Sequence, residues 1–167
     1  MTFLLDANVL IDLGYINGLD VLPSLGTSEV LDVVLLECEH PKQPNLIYDI
    51  QKAGVCEIPT EKKWASAARI YRTGRLSFQD ALSFYYTKAF SRTLLTNEQP
   101  LRNRCFEEDV PVHGVLWVIE QAYVSKLKSA SQLCDWLLAL EMFNRRPPQA
   151  ELSQLRQKLG CSQSIGI

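Results

Sequence analysis

A short apolar run that ends on a carboxylate opens the chain, Phe3-Leu4-Leu5-Asp6, and Ala7-Asn8-Val9-Leu10-Ile11 follows without a break. This stretch constrains the fold more than any other. It reads as a strand that turns directly into a helix, and in an open α/β sheet ligands bind just beyond the carboxyl ends of the strands. Asp6 is expected at such an edge, with Asn8 two residues on. The plainer reading of Asp6 is an acid that hydrogen-bonds the start of the following helix.

Strands and helices then alternate along the chain. Glu29-Val30-Leu31 reads as a second strand, followed by a helical run from Val33 to Glu39 with Asp32 as its cap and His40-Pro41 as its stop. Leu46 to Lys52 reads as helix, Val55 to Ile58 as a third strand, and Glu61 to Tyr71 as a helix capped by Thr60 and ended at Gly74. Ser77-Phe78-Gln79-Asp80 resembles a capping box. It starts a helix to about Ser91, on which Leu82, Tyr85, Tyr86 and Ala89 recur at i, i+3, i+4, i+7. Arg92 to Thr96 reads as a fourth strand and Asp109 to Val112 as a short fifth.

Such alternation implies βαβ units and a parallel sheet, and so an α/β fold. The expected architecture is a three-layer α/β/α sandwich with extra C-terminal helices at roughly 115–127, 131–143 and 148–159. One domain is expected over 1–160, with about 115–160 as a helical extension and 161–167 as a flexible tail.

Size and charge narrow the function classes. A chain of 167 residues with 47% apolar and 22% charged residues has enough material for a real core. A net charge of −2 argues against nucleic-acid binding by bulk charge, while leaving room for a local basic groove. Cys38, Cys56, Cys105, Cys134 and Cys161 are scattered and form no C-x-x-C pair, so neither a zinc site nor a disulfide framework is expected. Reduced thiols and a cytoplasmic location are the simpler expectation. No apolar run reaches membrane length and no signal peptide is expected, so no membrane partner is either.

Four acids fall at or near element ends. Asp6 ends the first strand, Glu37 follows the second, Asp80 lies in the first turn of the helix before the fourth, and Glu98 follows the fourth. In a doubly wound sheet the ends of strands one and four meet at the switch point, so the four can converge. Carboxylates sharing a crevice oppose one another's ionisation. A divalent cation relieves that repulsion, and oxygen ligands without His or Cys select Mg²⁺ or Mn²⁺. Such an ion suits hydrolysis of a phosphodiester.

The pieces Leu4-Leu5-Asp6-Ala7-Asn8-Val9-Leu10, Val34-Leu35-Leu36-Glu37, Asp80-Ala81-Leu82 and Leu94-Leu95-Thr96-Asn97-Glu98-Gln99-Pro100-Leu101-Arg102 together resemble the PIN domain of toxin–antitoxin endoribonucleases. The resemblance covers about residues 1 to 115 and extends through His113-Gly114-Val115-Leu116. It implies a Mg²⁺- or Mn²⁺-dependent ribonuclease acting on RNA, with a small antitoxin protein as partner and a homodimer as assembly. Asp6, Glu37, Asp80 and Glu98 would be the catalytic and metal-holding acids, with Asn8 and Thr96 in support. One residue departs from the family pattern: Glu98 stands where an Asp is usual, in a Thr-x-Asp sequence.

Other readings stay open. Glu37 competes with Glu39, since helical positions two apart face different ways. Asp80 can serve as a capping acid, and Glu98 as a polar turn residue. Arg72, Arg75 and Arg102 flank the acids and suit phosphate contacts, or else are ordinary surface. His113 suits packing better than catalysis, and Tyr85 and Tyr86 suit the core better than base stacking. The alternative function is a catalytically inactive PIN-like module that binds RNA or protein.

Overall fold

The computed structural model describes residues 1–162, which form two compact units, residues 1–115 and the rest from Leu116. The first unit is α/β. Its five strands are β1 (Thr2–Leu5), β2 (Thr27–Leu31), β3 (Cys56–Ile58), β4 (Thr93–Leu95) and β5 (Val112–His113). They lie in the order β3-β2-β1-β4-β5, and every pairing is parallel. The apolar strand at the start of the chain is therefore the middle of the sheet. Its flanks explain its composition: Phe3, Leu4 and Leu5 are fully buried, as a parallel strand covered on both faces requires.

Helices α1 (Ala7–Tyr15), α2 (Leu22–Leu25), α3 (Asp32–Leu35) and α4 (Leu46–Lys52) connect β1 through β2 to β3. Helices α5 (Lys62–Ala68), α6 (Phe78–Ala89) and α7 (Gln99–Glu107) accompany the return from β3 through β4 to β5. The strand order grows away from β1 in both directions, and right-handed crossovers then put the two helix sets on opposite faces. Packing agrees: α1 lies against α4, and α6 lies against both α5 and α7. The expected parallel sheet flanked by helices is present, with β1 and β4 adjacent at the switch point.

Several local expectations are revised. The run after β2 is one turn of α-helix followed by a 3-10 turn, Leu36–Cys38, which carries Glu37. Leu31, not Asp32, is the helix N-cap; the Asp32 carboxylate accepts from Val33 N and from both Thr60 N and the Thr60 hydroxyl. Thr60 thus ties the β3 exit to α3 rather than capping α5, whose N-cap is Glu61. The box at Ser77 and Asp80 is present as expected: Ser77 Oγ accepts from Asp80 N at 3.1 Å, and Asp80 Oδ2 accepts from Ser77 N at 2.9 Å.

Helix α7 is not legible in the sequence. Only Leu101 and Cys105 bury themselves on it, a stripe too narrow to register as a period. Pro100 sits in the helix's first turn, where a missing N–H costs nothing.

The second unit consists of α8 from Leu116 onward (the helix runs Val115–Val124), α9 (Ala130–Met142) and α10 (Gln149–Leu159). Leu133, Leu137 and Leu140 of α9 are buried, as are Leu152, Leu155 and Leu159 of α10. Lys158–Glu120 at 2.6 Å and Arg156–Glu141 at 2.7 Å join α10 to α8 and α9. Cys134 and Cys161 form a disulfide that fastens the end of α10 to α9, so Cys161 is no frayed residue. This corrects the expectation of reduced cysteines for that pair alone, which leaves no spacing signal at 27 residues apart, while Cys38, Cys56 and Cys105 are free thiols. The rest of the expected tail, 163–167, lies outside the described residues.

A cross-link of that loop length restricts the unfolded chain by about 3.5 kcal/mol in the chain-entropy account. Cys134→Ser is therefore expected to lower the thermal midpoint under oxidising conditions. Adding dithiothreitol should then change the variant's midpoint far less than that of the parent protein.

Candidate functional site

The sheet delivers Asp6 and Thr96 side by side. The backbone ladder continues one residue past the strands, with Asp6 N donating to Leu95 O and Thr96 N to His113 O, both at 2.9 Å. Asp6 becomes the N-cap of α1, and its Oδ1 accepts from Ala7 N at 2.9 Å. Its Oδ2 accepts from the Thr96 hydroxyl at 2.7 Å. That hydroxyl also accepts from Glu98 N at 3.1 Å. The plain capping role and a place at the sheet edge thus hold together for Asp6.

Asn8 and Asn97 complete the scaffold. Asn8 Nδ2 donates to Glu98 Oε1 at 3.0 Å, and Asn8 Oδ1 accepts from Asn97 N at 3.2 Å. Asn97 Nδ2 donates to Asp12 Oδ2 at 2.8 Å, and Asn97 Oδ1 accepts from Val115 N at 2.9 Å. Each amide uses both of its ends, which fixes its orientation. The turn after β4 is held to α1 at several points, so Glu98 leaves a rigid platform. Sequence reasoning does not find Asn97, since nothing local distinguishes it from a solvated turn residue.

Gly114 is required by this arrangement. A Cβ there would lie 2.8 Å from Asn97 Oδ1 and 3.1 Å from Arg102 Nη1. Gly114→Ala is expected to displace the Asn97 side chain and cost about 1–3 kcal/mol, the usual scale for overpacking. The shift in urea midpoint measures it.

Asp6 is only 6% exposed, and burial is the main reason its carboxyl is raised from 3.8 to about 7. The hydrogen bonds from Thr96 and Ala7 oppose that rise, whereas the charges of Asp80 and Glu37 add to it. Glu37 is exposed in its 3-10 turn and is also raised, by partial desolvation and then by the charges of Asp80 and Glu98. The four acids are therefore electrostatic neighbours, with Glu37 linked to the other three. Cys38 is buried beside them, and burial with the charges of Asp6 and Glu37 pushes its thiol up to about 12. It is an inert packing residue at neutral pH.

The donor set is hard oxygen throughout, which suits Mg²⁺ or Mn²⁺ and not zinc. Among the described residues no three His, Cys, Asp or Glu side chains are gathered closely enough to grip an ion as they stand. Asp80 is held by its capping box and Glu98 by the Asn8 amide. Convergence on an ion would draw on the exposed side chains of Glu37 and Glu98, while Asp6 and Asp80 stay in place.

The three arginines fall in different settings. Arg72 and Arg75 are exposed in the loop before α6. Arg102 is half-buried on α7, close to Gly114, and its charge helps lower the His113 pKa after desolvation of that ring. Tyr86 is a core residue, as expected, and packs edge-on against Trp64 with centroids 5.2 Å apart. Its hydroxyl donates to Glu29, a buried acid on β2. Arg92 also grips Glu29 with Nε and Nη2, both at 3.0 Å. Sequence reasoning does not find this triad either, because its members are far apart along the chain.

No protein-family model matches the chain, and no curated protein matches it in sequence.

Proposed function

We propose that the protein is a Mg²⁺- or Mn²⁺-dependent endoribonuclease of PIN type, hydrolysing RNA phosphodiester bonds as the toxin of a toxin–antitoxin pair. The observation that carries this reading is the gathering of acids at the switch point of a parallel sheet, where the charges of Asp80 and Glu37 act on Asp6 and those of Asp80 and Glu98 act on Glu37. A small antitoxin protein and a second copy of the chain are the partners that this reading brings with it.

The chain's own groups would act as follows. Asp6, Glu37, Asp80 and Glu98 would hold the cation directly or through water. A divalent cation so held lowers the pKa of water and offsets negative charge on a phosphate oxygen. Asp6 would have to act as the carboxylate, the form that its burial disfavours. The Thr96 hydroxyl, already aimed at Asp6 Oδ2, holds that carboxylate in one orientation. Asn8 holds the Glu98 carboxylate through its amide. Glu98 is one methylene longer than the Asp usual in the family, and its backbone is held by the Glu98 N–H to the Thr96 hydroxyl.

Hydrolysis of single-stranded RNA with Mn²⁺ tests the proposal. Asp6→Asn is expected to lower the rate by about a hundredfold or more, the scale on which removing one electrostatic stabiliser acts. An unchanged rate in that variant would sink the mechanism.

A second reading has its own support. The Asn8–Glu98 bond, and the lack of a ready cage among the described residues, favour an inactive PIN-like module that binds RNA or protein. RNA binding by the parent protein without any cleavage at millimolar Mn²⁺ would select it.

A further inference from the structure

Between Glu61 and Asp80 the chain carries Lys62, Lys63, Arg69, Arg72 and Arg75 and no acid. All five are exposed. Lys63 pairs with Glu61, whereas Lys62, Arg69, Arg72 and Arg75 have no acidic partner among the described residues. In a chain whose net charge is −2, this is a strong local excess of positive charge. It ends at Asp80, one of the four coupled acids.

A groove of about 410 Å³ lies beside it. One wall is the loop bearing Thr73 and Arg75, and the other is the face of α7 that carries Gln99, Asn103 and Glu107, with Arg104 alongside. Gln99, Asn103 and Glu107 are spaced i, i+4, i+8, so the groove follows about 12 Å of helix. Its near end is Gln99, the residue after Glu98, and on the loop side Leu76 lines it four residues before Asp80. None of the four acids lines the groove itself, but each wall is joined to one of them along the chain, α7 to Glu98 and the loop to Asp80.

Arg104 is held in place before any ligand arrives. Its Nη2 lies 2.9 Å from Glu108 Oε1, and its guanidinium sits over the Tyr71 and Phe84 rings at 5.5 Å. Gln99 Nε2 donates to Asn103 Oδ1 at 2.7 Å, which leaves further amide donors and acceptors for a ligand. The lining therefore combines a fixed guanidinium on one wall, a free one on the other, polar amides and the Glu107 carboxylate. It lacks the apolar lining of a pocket for a greasy small molecule.

We infer that this groove is the track of a single-stranded nucleic acid, which leaves the acidic centre between the Arg75 loop and α7 and lays its phosphates along Arg75 and Arg104. The inference rests on the proposed nuclease reading for its orientation. Its binding arm, however, needs no metal and no cleavage. Arg75 and Arg104 contact phosphate and so position the strand without reading its sequence.

The test is fluorescence anisotropy of 5′-labelled single strands in EDTA, with RNA and DNA of about 4 and about 12 nucleotides. The longer strands are expected to bind at least about tenfold more tightly. Their affinity should fall with salt at a slope of about 0.7 per neutralised phosphate. Arg75→Glu is expected to weaken the longer strands about tenfold and to flatten that slope. Asn103→Glu puts a carboxylate on the opposite wall while leaving every arginine in place, and it should weaken them likewise. Circular dichroism checks that both variants fold.

Equal binding of short and long strands, or full affinity in both folded variants, overturns the inference. So does polyglutamate binding as tightly as the oligonucleotides, which would mark the strip as a site for an acidic protein. Mn²⁺-dependent hydrolysis by the parent protein is read separately. Its absence would count against the nuclease reading and not against the groove.

Discussion

Replacing Asp6 by Asn is expected to make the protein more stable above pH 7, by about 3 kcal/mol, while removing the function proposed for it. The sign follows from burial. The Asp6 carboxyl is raised to about 7 in the folded protein, from 3.8 in the open chain. Below about pH 4 both states hold the proton and the residue costs nothing. Between about pH 4 and 7 the unfolded chain ionises first, so stability falls as pH rises. The loss reaches about 4 kcal/mol above pH 7, at about 1.36 kcal/mol for each tenfold difference in proton affinity between the two states.

An amide in place of the carboxyl never ionises and escapes this loss. It keeps the bond from Ala7 N, and it can donate to the Thr96 hydroxyl, which must then turn. That rearrangement costs about 1 kcal/mol. Urea unfolding at pH 4 and at pH 8 measures the difference. The gap between the two proteins should be small in acid and wide in base. A buried group that weakens the fold when charged is a common signature of functional sites.

Glu29→Ala is expected to cost about 3 kcal/mol, the largest loss from a single polar side chain in the sheet. Glu29 holds Arg92 through two bonds and Tyr86 through a third. Removing one partner of a buried ion pair costs about 3–5 kcal/mol, because the other charge is left uncompensated. The lower end applies because 27% of the Arg92 side chain remains in water. The Tyr86 hydroxyl loses its acceptor in the same variant. Glu29→Leu combined with Arg92→Leu should be less damaging than the sum of the single changes, since it leaves no orphaned charge. Urea midpoints of the three variants give the coupling energy.

Local chemistry is legible in the sequence, and pairing across the sheet is not. The apolar run Phe3-Leu4-Leu5 and the strand–helix alternation announce a parallel sheet, because burial on both faces leaves a continuous apolar signature. The box at Ser77 and Asp80 lies within four residues and is equally legible. The link from Asp6 to Thr96 and the Asn8–Asn97–Asp12 bonds span about ninety residues and depend on the order of the strands. The same holds for Glu29 and Arg92, and for the bridge between Cys134 and Cys161. The disulfide also bears on location, since such bonds persist mainly in oxidising compartments. Free-thiol titration of the protein taken directly from cells reads its state.

Calorimetric titration with Mn²⁺ tests the central claim most directly, because it asks whether the four acids hold a cation at all. The protein is expected to bind the ion at pH 8 and to bind it more weakly at pH 6, where Asp6 must first release its proton. Asp6→Asn should reduce the affinity by about tenfold or more and abolish the accompanying proton release. No heat at millimolar Mn²⁺, or equal affinity in the variant, would contradict the account.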